Sequence, residues 1–185
     1  MYRLDDQRTP EGFRGRSALV VMIWWAVQQF VFSISPQPAY GFRRWILRVF
    51  GANVGKGVLV RPTVRITYPW KVTIGDFSQV GDFVELYSLG AIEIGSNTVI
   101  SQRSYLCAGT HDFRDQTFPL VSKPIEIGSG CWIAADVFIH PGCKIGDRVI
   151  VAARSTVCES IHTTGIYEGN PARFIKSFEE RKGII

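Results

Sequence analysis

The chain has 185 residues, 46% of them hydrophobic and 20% charged, which suits one globular domain with a substantial core and excludes a disordered chain. Its formal charge of +5 is concentrated at the front: residues 1–61 hold nine basic and three acidic side chains, whereas residues 62–185 are close to neutral. The four cysteines, Cys107, Cys131, Cys143 and Cys158, form no CxxC pair, so neither a disulfide framework nor a zinc knuckle is expected and a reduced, cytoplasmic setting fits.

Met-Tyr-Arg-Leu-Asp-Asp at the start is polar and lacks the order of a secretory signal. Residues 18–34 then run apolar, with Trp24, Trp25, Phe30 and Phe32 among them. Ser17 stands as an N-cap, and Ser35-Pro36-Gln37-Pro38 ends the helix. Gln28 and Gln29 inside the run argue against a simple transmembrane span. The segment is expected either to lie on a membrane surface or to pack on the rest of the protein. A second helix, over about 40–50, places Phe42, Trp45, Ile46, Val49 and Phe50 along one face, with Arg43, Arg44 and Arg48 elsewhere. Its charge suits an anionic lipid or ligand. Nucleic acid is not expected, because the basic residues are interleaved with apolar ones and match no groove-reading motif.

From residue 54 a six-residue period takes over. Aliphatic side chains recur at Val54, Val60 and Ile66, at Ile74, Val80 and Leu86, and at Ile94, Ile100 and Leu106; Ile127, Ile133 and Ile139, then Ile145, Val151 and Val157, continue the series. Six fits neither a helix at 3.6 nor an alternating strand at 2. It fits a short strand plus a tight corner, three of which close one triangular coil, with stacked coils burying the aliphatic column. Glycine often follows the aliphatic residue, as at Gly55, Gly75, Gly81, Gly95, Gly128 and Gly146, and is expected to supply permissive corner angles. The triplet starts at 94 and 127 lie far apart, which places an insertion at about 111–123. The expected organisation is a helical, membrane-proximal cap over 1–53, a mainly β solenoid over 54–165, and a C-terminal cap over 166–185 with a short helix at 174–181.

Of the three histidines, His111 opens the insertion, where a loop leaves a rigid prism, and imidazole can take a proton from a hydroxyl near neutral pH. His140, before Pro141-Gly142, reads as a structural corner, and His162 as surface.

The [Ile/Val/Leu]-Gly-x4 runs resemble those of the hexapeptide-repeat transferases. The tracts 100–111 (ISQRSYLCAGTH), 66–71 (ITYPWK), 86–90 (LYSLG) and 169–172 (GNPA), with 12–15 (GFRG) and 24–28 (WWAVQ), resemble colanic acid biosynthesis acetyltransferases across nearly the whole chain. The resemblance implies a left-handed parallel β-helix and O-acetylation of a sugar hydroxyl by acetyl-CoA during exopolysaccharide assembly, with no metal required. It implies a homotrimer with sites between subunits, and His111 as the general base. It also implies that Trp132 lies beside the pantetheine arm, that the amides of Ala135 and Ala153 bond that arm, and that Arg173 and Lys176 lie near the nucleotide phosphates. Where sugar and maltose acetyltransferases keep an asparagine near the histidine, this chain has Gly81. Asp82 and Glu85 are nearby candidates to orient His111, and backbone amides near Ser101–Gln102, or a neighbouring subunit, are candidates for the oxyanion site. The acceptor is a saccharide, free, nucleotide-bound or lipid-linked.

Two other functions compete. A carbonic-anhydrase-like zinc site wants three histidine ligands, and no two of the three here have the spacing of ligands from one coil. A non-catalytic, membrane-docked scaffold would make the apolar, basic front the working part.

Overall fold

The computed structural model describes residue 5 and residues 12–178, and its order is two helices followed by a parallel β-solenoid of about six turns. Successive short strands fall on three faces. The first carries Asn53–Val54, Val72–Ile74, Ile92–Ile94, Ile125–Ile127 and Lys144–Ile145. The second carries Leu59–Val60, Gln79–Val80, Val99–Ile100, Trp132–Ile133, Val149–Val151 and Gly165–Gly169. The third carries Arg65–Ile66, Glu85–Tyr87, Tyr105–Cys107, Phe138–Ile139 and Thr156–Val157.

The six-residue period is the stacking register. Val54 pairs with Ile74, Ile74 with Ile94, Ile94 with Ile127 and Ile127 with Ile145, and the other two columns align in the same way. All fifteen aliphatic residues of the series are buried, none more than 4% exposed. Buried hydroxyls two residues upstream of some of them tie coil to coil. Ser78 Oγ donates to Gly95 O (2.6 Å) and accepts from Thr98 N (3.0 Å), while Thr98 Oγ1 donates to Gly128 O (2.7 Å) and accepts from Cys131 N (3.1 Å). A core polar group satisfied in this way carries little desolvation cost.

The glycines work differently from the expectation. None of those following the aliphatic column has a positive φ; that conformation falls two residues later, on Phe77, Phe83, Asn97 and Arg148. Glycine is needed because the next coil runs against it. A Cβ on Gly75 would sit 2.6 Å from Ser96 N, and one on Gly81 2.8 Å from Gln102 N. No asparagine fits at Gly81 without moving that backbone.

At the front, α1 (Ala18–Val27) follows Ser17, whose hydroxyl accepts from Val20 N at 3.5 Å, and a π-helical turn (Gln28–Phe32) precedes α2 (Tyr40–Val49). Among the described residues no helix is long and apolar enough to cross a membrane. The cap closes the open edge of the first coil on all three faces. Trp24, fully buried, donates its indole N–H to Ile66 O (2.8 Å), and Gln28 Oε1 accepts from Ile66 N (2.7 Å). Arg43 donates to Val60 O (2.6 Å), Arg44 to Val58 O (2.8 Å) and Arg48 to Val54 O (2.6 Å). The apolar face expected of α2 is therefore split: Ile46 is buried, with Arg43 and Leu47, whereas Phe42, Trp45 and Val49 point to solvent. Edge carbonyls need donors, and the arginines supply them.

Two further expectations change. The insertion is an antiparallel hairpin that begins two residues early, pairing Gly109–His111 with Leu120–Ser122. The expected C-terminal helix begins as a strand: Ala172–Lys176 pairs antiparallel with Gly165–Gly169, and Phe174 packs edge-on against Tyr167 (5.5 Å). The free edge of Gly165–Gly169 offers hydrogen bonds that a helix would leave unused. The rest of that predicted helix, 179–181, lies outside the described residues.

Candidate active site

His111 ends the first strand of the hairpin, just beyond the third face, because the chain leaves the prism at Gly109 rather than turning onto the first face. Its ring stacks on Phe118 (centroids 4.2 Å, planes 8° apart), and Nδ1 lies 2.8 Å from Phe118 O. A carbonyl can only accept, so in the neutral ring Nδ1 carries the hydrogen and Nε2 the lone pair. The hairpin itself fixes the tautomer.

A cleft of about 400 Å³ opens here, lined among others by His111, Asp112, Arg114, Lys123 and His140. His140 is a corner residue as expected, but it also lines this cleft, edge-on to Phe138 (5.1 Å). Its position was readable in principle: it follows Ile139, which stacks on Leu106 at the end of the same face that leads to His111.

The carboxylates proposed to orient His111 lie elsewhere on the chain. Asp82 sits at the corner between the second and third faces, accepting from Arg61 Nε (2.9 Å) and Thr63 Oγ1 (2.8 Å). The hairpin leaves from the other end of the third face. Glu85 begins the third-face strand Glu85–Tyr87 and faces outward beside Tyr105. The tyrosines of this face stack: Tyr87 on Tyr105 (6.0 Å) and Tyr105 on Phe138 (5.3 Å). Burial, then Cys107, then neighbouring charges push the Tyr105 hydroxyl well above its ordinary range, and Tyr87 shifts the same way, chiefly through burial. Of the oxyanion candidates, the Ser101 amide is already committed to Ile133 O (2.8 Å).

The residues assigned to the cofactor form a group on and beside the second face. Trp132 is 49% exposed, its indole N–H donating to Ser101 Oγ (2.9 Å). Ala135 and Ala153 stack one coil apart at the corner following that face, and their amides make no hydrogen bond among the described residues. Arg173 and Lys176 lie on the exposed strand Ala172–Lys176, with Arg173 3.7 Å from Glu159. The structure brings Trp132, Ala135 and Ala153 together, and it separates them from His111 of the same chain by the width of the third face. Among the described residues no group of three His, Cys, Asp or Glu side chains could hold a metal ion.

Comparison with known proteins agrees with this architecture. Residues 124–159 match the family described as bacterial transferase hexapeptide (six repeats). The chain is 51% identical over 176 residues to the colanic acid biosynthesis acetyltransferase WcaF of Escherichia coli, covering 95% of this chain and 97% of that one. A maltose O-acetyltransferase from Clostridium difficile superposes with a TM-score of 0.79 at 27% identity, over 89% of this chain and 90% of that one. A variant of AntD, an N-acyltransferase from Bacillus cereus solved with dTDP-4-amino-4,6-dideoxyglucose and coenzyme A, superposes with a TM-score of 0.64 at 26% identity, over 75% and 90%. The scaffold reading gives way to an enzyme: this chain belongs to the hexapeptide-repeat acetyltransferases, and it is an acyltransferase.

Proposed function

We propose that the protein transfers an acetyl group from acetyl-CoA to a hydroxyl of a saccharide used in exopolysaccharide assembly, in the cytoplasm, with His111 as general base. The observation that carries this reading is the anchoring of His111 Nδ1 on the Phe118 carbonyl, which leaves Nε2 as the basic nitrogen of a ring lining a cleft. His111 takes the acceptor hydroxyl proton as that oxygen bonds the thioester carbonyl carbon, and returns it to sulfur as the carbon–sulfur bond breaks. The likeness to a maltose O-acetyltransferase supports a sugar acceptor, and the coenzyme A bound by AntD supports the donor.

The residues fit that donor. The two stacked amides of Ala135 and Ala153 offer donors to a pantetheine chain, and Trp132 gives it an exposed aromatic surface. Arg173 and Lys176 provide cations for phosphates further along the same face. Because these groups and His111 lie on opposite sides of the third face, the site is completed between neighbouring copies, His111 from one and Trp132 from the next, in a homotrimer.

His111→Ala is expected to lower kcat by about 10²–10⁴-fold while acetyl-CoA binding persists. Thiol release with a saccharide acceptor, together with calorimetric titration of acetyl-CoA, reads both quantities. Wild-type turnover in the variant would falsify the assignment.

A further inference from the structure

We propose that the outer surface of the N-terminal cap is a docking surface for an anionic lipid bilayer, against which α1, the π-helical turn and α2 lie flat. The inference stands apart from the catalytic reading and begins from the apolar side chains that the cap leaves exposed. The inward positions of the cap are occupied by groups that close the first coil: Trp24, Gln28 and the three arginines of α2. Much of what remains outside is apolar on both helices and the turn between them. Met22 is 57% exposed, Phe30 70%, Ile34 74% and Trp45 60%. Trp45 stacks on exposed Phe42 (6.1 Å). Large apolar side chains left exposed on three consecutive elements mark an interaction surface.

Charge selects the occupant. Residues 12–75 contain nine Lys and Arg and no Asp or Glu. Arg14 and Arg16 are exposed, Lys56 is exposed beside Asp76 (3.9 Å), and Arg48 is exposed while bonding the edge carbonyls. A second copy apposed cap to cap would bring cations against cations. An anionic headgroup layer complements them, each basic residue near such a surface contributing about 1 kcal/mol. Tryptophan and phenylalanine are the side chains expected at the lipid–water boundary. The ten residues of α1 reach about 15 Å, half of a hydrocarbon core, so the helix lies in the interface and does not span it.

The test is flotation of the full-length protein with vesicles of equal parts phosphatidylglycerol and phosphatidylcholine, or of phosphatidylcholine alone, at low salt. The wild type is expected to float with the anionic vesicles and far less with the neutral ones. The double variant Phe30→Ser, Trp45→Ser should lose at least about tenfold in vesicle affinity, from the two exposed aromatic side chains removed. Circular dichroism and the thermal midpoint identify any failure to fold, in which case Trp45→Ser alone and a salt series on the wild type replace the double variant. Three outcomes overturn the proposal: a wild type that stays at the bottom of the gradient, binding to neutral vesicles as strong as to anionic ones, or a folded variant that floats as well as the wild type. Sedimentation of the variant as a smaller species than the wild type would also overturn it, by assigning the surface to contact between copies.

Discussion

A histidine acts as a base only with the correct nitrogen unprotonated, and in the role proposed for His111 a backbone carbonyl makes that choice. Phe118→Ala keeps the carbonyl but removes the stacked ring, so the imidazole gains freedom to tilt. The expected result is a fall in kcat of roughly 10–100-fold from misalignment, with acetyl-CoA affinity unchanged and recovery in Phe118→Tyr. Steady-state kinetics beside a binding isotherm check it, and equal loss in both would point to a collapsed hairpin instead. The place of His111, at the hairpin, was legible in the sequence because a repeat makes its own interruption visible. The orienting group was not, because a main-chain carbonyl carries no side-chain signature. Asp82 looked available for the same reason in reverse: sequence distance from the histidine says nothing of Arg61 and Thr63, which hold its carboxylate.

At the scale of elements, the aliphatic column of the solenoid was legible to the residue, since one buried side chain every six positions is a packing rule with few alternatives. The second helix was not. A pattern of apolar and basic faces is ordinarily resolved by turning the apolar face inward, but the surface beneath α2 is the open edge of a coil with unpaired carbonyls. Arg43 answers that demand most fully, donating to Val60 O, Ser35 Oγ, Pro36 O and Gln37 O. Burial lowers its guanidinium from the ordinary value, an effect partly offset by Tyr40. Arg43→Ala would strip four acceptors of their donor at once and is expected to cost about 3 kcal/mol or more. The urea midpoint should fall with an unchanged slope; a shift under about 0.5 kcal/mol, typical of a surface site, would contradict this account. The terminal strand was misread for a related reason, since the edge offered by Gly165–Gly169 exists only once the preceding coils are stacked.

At the scale of the whole molecule, the stacked third face predicts a response to alkali. Tyr105 and Tyr87 keep their protons in the folded protein above the pH at which they would lose them when unfolded, and the buried thiols of Cys131 and Cys143 are raised by burial too. Between the two values the unfolded chain binds fewer protons, so stability falls as pH rises. It should be fully present below about pH 8, decline from about pH 8.5, where free thiols ionise, and fall further from about pH 10, where free tyrosines do. Denaturation midpoints across that range test this, and Tyr105→Phe should flatten the upper part of the decline. Assembly is expected to be trimeric: light scattering gives the mass directly, and a mixture of His111→Ala with an inactive Trp132→Ala protein should regain activity after subunit exchange. The closed first edge has a consequence beyond a single molecule. Parallel coils are templates for more of themselves, and an unpaired coil edge can accept the next chain as readily as it accepted its own. Trp24, Gln28 and the three arginines occupy the groups through which a second solenoid would add. The cap is thus a chain terminator, and weakening it would free the first coil to seed end-to-end fibres.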